Sequence, residues 1–367
     1  MLDTPAADPP LPPPALTAPA PREVSSGLVA GRAPAGTRRI VVRIGERVLA
    51  DRTLRGRTFS LTVPLPRAPV ALRVTAVAGD GRRSSREVRT FGLPPADAPT
   101  LRAPTLDPVL ARTVGSLVRR YGGTSAVYVQ DLRTGRGAAW NARARFPAAS
   151  TLKLAIAVTV MRSLTGKPGD GSQLEMLLDR MLVHSDNEAA NALEVWLGGS
   201  TGGGSNRVDE TMRALGLRDS LMYGGYETPR RPAAGTPIPI RVERQPAWGV
   251  GKYTTAWDLA RLARGLYLAA HGKGPLLRLG VTGSEARYLL WHLARVADRG
   301  KLDRYLGGRA AVMHKAGWLP DARHDNGIVA FAGGAYVATV LTWRTGGADE
   351  LAGRVSLAAL QRFRSVG

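Results

Sequence analysis

The chain has 367 residues, enough for two domains of which one is large. Its 51 lysines and arginines face 29 aspartates and glutamates, a net charge of +22 spread along the chain instead of gathered into one patch. No Cys–His zinc spacing or aromatic-basic signature accompanies that charge, so no nucleic-acid partner is expected, and the absence of cysteine excludes disulfide and thiolate chemistry.

Residues 1–34 are rich in Pro and Ala and read as a disordered tether with a polyproline bias. Five short β-branched runs follow: Arg39–Ile44, Val48–Thr53, Thr58–Val63, Val70–Val77 and Ser85–Phe91. Turns at Gly45-Glu46, Gly56 and Gly79-Asp80-Gly81 separate them. They predict a small all-β, immunoglobulin-like sandwich over 35–93, and the prolines of 94–105 predict a stiff linker.

From 106 to 367 the texture is mixed. Leu106–Tyr121 has an amphipathic helical pattern, and Ser125–Asp131 with Gly137–Asn141 makes a hairpin. Helical patterns cover 150–164, 173–184, 187–197, 207–215 and 255–270. Gly198–Ser205 reads as a flexible loop. Strands are predicted at Ala310–Lys315, Gly327–Ala332 and Ala335–Trp343, and a last helix at Glu350–Phe363. Strands at both ends with helices between imply an α+β unit: one antiparallel sheet built from distant parts of the chain, helices on both faces, and a helical subdomain. The longest apolar run, Leu154 to Met161, is too short to cross a bilayer, so no integral span is expected.

Three short motifs stand in order. In Ser150-Thr151-Leu152-Lys153 the serine and lysine share one helical face at i and i+3. A serine hydroxyl needs a base to attack, and a lysine serves only where burial or a nearby cation lowers its pKa. The apolar run from Leu154 can supply that burial. Ser185-Asp186-Asn187 follows, and its residue types equally suit a helix N-cap. Lys315-Ala316-Gly317 continues the apolar Ala311-Val312-Met313-His314, and glycine there lets a substrate lie against the strand. Each motif alone also has an ordinary structural reading, a helix cap or a solvated lysine.

Together the three resemble the S-x-x-K, S-D-N and K-T-G signature of class A β-lactamases and penicillin-binding proteins, over about 106–367. The resemblance implies the β-lactamase/transpeptidase-like fold and a serine hydrolase that forms an acyl-enzyme on Ser150. It casts Lys153 as base, Ser185 as proton relay to the leaving nitrogen, and Lys315 as the group facing a substrate carboxylate. Asn187, Ala316, Gly317 and Trp318 would bind substrate, with the backbone N–H groups of Ser150 and Trp318 as the oxyanion hole. No metal or organic cofactor is implied. The implied substrate is a small molecule or a peptidoglycan peptide ending in D-alanine, with β-lactams as acylating ligands. The alternatives are a true β-lactamase and a non-catalytic cell-wall or partner-binding protein.

Such chemistry implies an extracytoplasmic place and attraction of the basic chain to an anionic cell wall. Met1 leads into the Pro/Ala segment with no basic-then-apolar leader, so an exported form would need a signal beyond these residues. Two departures stand out. Ala316 replaces a hydroxyl-bearing residue. The loop before Thr254-Thr255 holds only Glu227 and Glu243 as carboxylates, and neither has the expected Leu-Asn after it; Glu243 is the nearer candidate for a deacylation base. Asp325-Asn326-Gly327 reads as a tight turn opening a strand. Gly198-Gly199-Ser200-Thr201-Gly202 fits the G-x-S-x-G string but follows a helix, the wrong context for a nucleophile elbow.

Overall fold

The computed structural model describes residues 9–226, 251–343 and 346–365. The chain divides into two compact units after Pro94. The first is all β. Its strands are β1 (Ala15–Ala18), β2 (Glu23–Ser25), β3 (Leu28–Arg32), β4 (Thr37–Ile44), β5 (Arg47–Thr53), β6 (Thr58–Thr62), β7 (Pro69–Ala78) and β8 (Arg83–Gly92). They form a three-stranded sheet, β1-β3-β6, and a five-stranded sheet, β2-β8-β7-β4-β5.

Strict alternation along β7 turns Leu72, Val74 and Ala76 inward and Arg73 outward. Ile40, Val42, Leu72 and Val74 of one sheet share a core with Val29 and Phe59 of the other. Each such fully buried side chain contributes roughly 1.5–3 kcal/mol. The expected tether is corrected here. Residues 15–34 carry β1, β2 and β3, Val29 is fully buried, and Leu11 and Leu16 pack on the core. The prolines that suggested a tether lie before, between and after these strands, at Pro12, Pro13, Pro14, Pro19, Pro21 and Pro34, and none falls inside β1, β2 or β3.

The second unit contains β9 (Thr105–Leu106), α1 (Pro108–Tyr121), β10 (Thr124–Asp131), β11 (Arg136–Trp140), β12 (Phe146–Pro147), α2 (Lys153–Arg162), α3 (Gln173–Val183), α4 (Asn187–Gly198) and α5 (Thr201–Ala214). It continues with β13 (Tyr253–Thr254), α6 (Ala256–Ala270), α7 (Pro275–Arg278), α8 (Gly283–Ala294), β14 (Ala310–Leu319), β15 (Ala322–Phe331), β16 (Gly334–Trp343) and α9 (Ala348–Ser365). The sheet order is β14-β15-β16-β10-β11-β9, antiparallel except for β9 beside β11. Strand β10 pairs with β16 over eight residue pairs, Thr124↔Trp343 to Asp131↔Tyr336.

Helices α1 and α9 cover one face, with Leu110, Val114, Val355 and Phe363 meeting Val127, Val129, Val329 and Tyr336. Helices α6 and α8 lie on the other, where Trp257 meets the edge of Tyr128 at 5.2 Å. Helices α2 to α5 form the helical subdomain. Residues of the predicted linker lie along this unit: Thr100 N–H donates to Leu132 O at 2.7 Å and Thr105 N–H to Gly135 O at 2.9 Å.

Two further expectations change. The predicted loop over Gly198–Ser205 is mostly the start of α5, whose N-cap Ser200 accepts from Gly203 N–H. The glycines are there for packing: a Cβ on Gly204 would lie 2.2 Å from Glu194 O on α4. Helix α8 went unpredicted, although Thr282 and Glu285 form a capping box at its start.

Candidate active site

The position of Ser150, the candidate nucleophile, is set from the sheet. Strand β12 pairs with β13, and Ala148 N–H donates to Lys252 O. Fully buried His324 on β15 holds Pro147 O through Nε2 at 2.8 Å, while its Nδ1 accepts from Thr342 N–H at 3.2 Å. Burial drives the His324 ring down to about 4, so it is the neutral tautomer that grips the carbonyl. The chain then turns sharply. Ala149 has φ 48°, and Thr151 returns both its N–H and its hydroxyl to Ala148 O. Helix α2 begins at Lys153, so Ser150 lies in the turn just before it, not in its first turn as the pattern predicted.

Strand β14 is the edge of the sheet and lies against this turn. A Cβ on Gly317 would be 3.0 Å from Ala149 Cβ and Thr151 Cγ2 and 3.1 Å from Ser150 N. Glycine is therefore needed for the edge strand to approach the backbone at Ser150.

The remaining motif residues meet in one hydrogen-bonded chain. Lys153 Nζ donates to Ser185 O at 2.5 Å and to Asn187 Oδ1 at 2.6 Å. Lys315 Nζ donates to Ser185 Oγ at 2.9 Å and to Ala316 O at 3.1 Å. Ser185 sits between the lysines with φ 59°, a left-handed conformation unusual for serine. That backbone turns its carbonyl to one ammonium and its hydroxyl to the other. Asp186 caps α4 by accepting from Ala189 N–H at 3.0 Å and is gripped by Arg180 Nε at 2.8 Å. Its role is structural, and it fixes Asn187 at the helix start.

Both lysines are fully buried. Burial first, then the Lys315 charge and that of Lys252, bring Lys153 down to about 7 against the pull of Asp186. Burial brings Lys315 down to about 8, with Asp298 and Asp325 opposing. Near neutrality the pair can therefore hold one neutral amine and one ammonium, which is what a base and an anion-binding group beside it require.

The Asp325-Asn326-Gly327 segment is not a turn. It lies inside β15, opposite Ala316, Lys315 and His314. Buried Asp325 accepts from His314 Nδ1 at 2.8 Å and from Leu302 N–H at 3.0 Å. Burial alone would raise its carboxyl; His314 and these hydrogen bonds hold it low. Trp318 is 58% exposed, with the Arg323 guanidinium 4.7 Å from its ring centroid. Glu227 and Glu243 lie outside the described residues.

Sequence reasoning missed four site residues. The Tyr226 ring lies 4.6 Å from Lys153 Nζ and 4.5 Å from Lys252 Nζ. Asn191, one turn after Asn187, holds the Tyr226 backbone. Glu194 is buried behind them. The Asn187/Asn191 spacing on one helical face was a readable signal; the others had none.

Two buried lysines joined through Ser185, one of them brought to about 7 three residues after Ser150, are the groups that lysine-assisted serine hydrolases use, and the helix-flanked sheet is one fold that carries such chemistry. Residues 109–173 and 163–363 match the model of the Beta-lactamase enzyme family. That match spans more than half of the chain, which belongs to this serine hydrolase family. Among solved structures, PBP-A is similar at TM-score 0.58 and 21% identity, over 72% of this chain and 100% of that one. A class A β-lactamase from Mycobacterium abscessus is similar at 0.56 and 20%, over 70% and 99%. A β-lactamase from Sphaerobacter thermophilus DSM 20745 is similar at 0.53 and 21%, over 70% and 98%. No curated protein matches the sequence.

Proposed function

We propose that the chain is an acyl hydrolase working through a Ser150 acyl-enzyme on D-alanyl peptides or related amides and esters with a carboxylate near the scissile bond. The observation that carries the reading is the Lys153–Ser185–Lys315 chain, with both lysines buried. Neutral Lys153 takes the Ser150 proton as the hydroxyl attacks. The backbone N–H groups of Ser150 and Trp318 stabilise the oxyanion. Ser185, held by protonated Lys315, passes its hydroxyl proton to the leaving nitrogen and is reprotonated with the proton that Lys153 took from Ser150, while Lys315 holds the substrate carboxylate. Water then releases the acyl group.

The choice of peptide over β-lactam as turnover substrate rests on the sequence of the loop before Thr254-Thr255, whose carboxylates Glu227 and Glu243 lack the Leu-Asn that accompanies a deacylating glutamate. Among the described residues, the Tyr226 ring lies 4.6 Å from Lys153 Nζ. A water-activating carboxylate typically accounts for about 100- to 10,000-fold in rate, so β-lactams would acylate Ser150 and leave slowly. One similar structure is an acyl-enzyme of a PBP-A variant with penicillin G. An extracytoplasmic place, attraction of the +22 chain to an anionic cell wall and an immunoglobulin-like role for the first unit complete the reading.

Intact-mass spectrometry after incubation with a penicillin should show one adduct on wild type and none on Ser150→Ala. With a chromogenic cephalosporin, a burst of about one product per enzyme should precede a slow steady state. No adduct across several β-lactam classes would favour the non-catalytic alternative. Rapid multiple turnover would make the chain a true β-lactamase.

A further inference from the structure

Lys153 is held on one side by Ser185 and Asn187, and on the other it meets the segment Gly224–Tyr226. That segment is clamped from three directions. Asn191 Nδ2 donates to Tyr226 O and Asn191 Oδ1 accepts from Tyr226 N–H, both at 2.5 Å. Ser205 Oγ donates to Gly224 O at 3.2 Å, and Lys252 Nζ donates to Gly225 O at 2.6 Å. Gly225 must be small, since a Cβ there would lie 2.8 Å from Asn191 Oδ1.

The clamp presents one aromatic ring to two cations. Lys153 Nζ and Lys252 Nζ lie 4.6 Å and 4.5 Å from its centroid, so the two ammonium groups are within about 9 Å of each other. Behind them Glu194 accepts from Ser205 Oγ at 2.7 Å, while its Oε2 has no hydrogen-bond partner.

We propose that Lys252 is a positioning residue for acylation: docked on the Tyr226 ring that also carries Lys153, it fixes a second positive charge beside the base. Its position is set by the Gly225 carbonyl and the ring, so its charge acts on Lys153 at a constant distance. Among the described residues, the titratable groups facing Lys153 are Lys315 from β14, Asp186 from the turn before α4, Tyr226 and Lys252, and of these Asp186 favours its charged form by charge. The group facing Lys252 from α4 is Glu194, which burial raises to about 7 against the effects of Ser205 and Lys252. Glu194 is therefore only partly charged near neutrality and only partly offsets Lys252. The proposal rests on Lys153 being the base.

The test reads Lys153 directly. The chain has six lysines, so a protein labelled with ¹³C at the lysine ε-carbons gives few resonances, each assigned by a Lys→Arg variant. In Lys252→Met the Lys153 midpoint should rise by about one pH unit, the size expected for one charge at this separation. It should stay in place in Lys252→Arg and in Tyr226→Phe, and the acid limb of Ser150 acylation should follow it. If Lys252→Met does not fold, Lys252→Gln, which keeps a donor for the Gly225 carbonyl, gives the same readout. An unmoved Lys153 midpoint in a folded, charge-removed variant overturns the proposal. A midpoint that moves while the acylation profile stays fixed refutes Lys153 as base and leaves the charge coupling standing.

Discussion

In the proposed mechanism acylation needs Lys153 neutral and Lys315 protonated together, and the fold places their titrations at about 7 and about 8. At pH 7 an ordinary lysine, near 10.5, is neutral in about one molecule in 3,000. At about 7 it is neutral in about half, roughly a thousandfold more base. The rate of covalent labelling by a fluorescent penicillin should therefore trace a bell. It should fall about fiftyfold between pH 7 and pH 5, peak near pH 7.5 with about half of the molecules productive, and decline again above about 8. Because the lysines share Ser185, the two limbs belong to the pair and not to either residue alone. Lys315→Met should erase the alkaline limb and move the acid limb upward, since a like charge beside Lys153 is gone. Lys153→Arg should lose at least about 100-fold at every pH. Labelling that is flat from pH 5 to 8, or that rises only near pH 10, would refute the assignment, provided the melting temperature shows the protein folded throughout.

Stability should carry the mark of the same lysines. Between about pH 8 and 10 the unfolded chain keeps protons that both buried lysines have released, so stability should rise with pH, each lysine adding up to about 1.4 kcal/mol per pH unit. Denaturant midpoints should lose that slope when both are replaced by Met. Gly317→Ala forces a methyl to within 3.0 Å of Ala149 and Thr151; it should slow acylation about 10- to 100-fold while circular dichroism stays unchanged. Gly204→Ala, whose methyl would meet Glu194 O at 2.2 Å, should cost about 1–3 kcal/mol in urea unfolding. Deleting residues 1–34 removes β1–β3 and uncovers the core around Ile40 and Phe59; limited proteolysis should then degrade the first unit, whereas loss of a mere tether would leave it resistant.

What could be read in advance followed from local pattern. The alternation of β4 to β8 is a property of neighbouring residues, and the structure places those strands within a residue or two of expectation. Strands β1 to β3 lie in a Pro/Ala-rich stretch whose composition masks the inward positions of Val24 and Val29. The glycines before Val208 read as a loop because a one-dimensional pattern does not distinguish freedom from close helix packing. Tyr226, Lys252 and Glu194 were invisible for a deeper reason. Tyr226 and Lys252 reach Lys153 across 73 and 99 residues of chain respectively, and no local spacing encodes such contacts. His314 and Asp325 face each other across a hairpin that was expected to begin its second strand later.

The strand order also imposes a timetable. Strand β10, at 124–131, sits between β11 and β16, and its partner β16 ends at Trp343. Ser150, Lys153 and Ser185 are synthesised early and belong to the helical subdomain, but Lys315 and Gly317 lie on the edge strand of a sheet whose centre is closed by β16. Loop closure over about 200 residues makes that step slow. A nascent or truncated chain thus carries Ser150 without the edge strand, and the candidate site is complete only when the last hairpins dock. Ser150 and the edge strand that lies against it are brought together by the last part of the chain to be made.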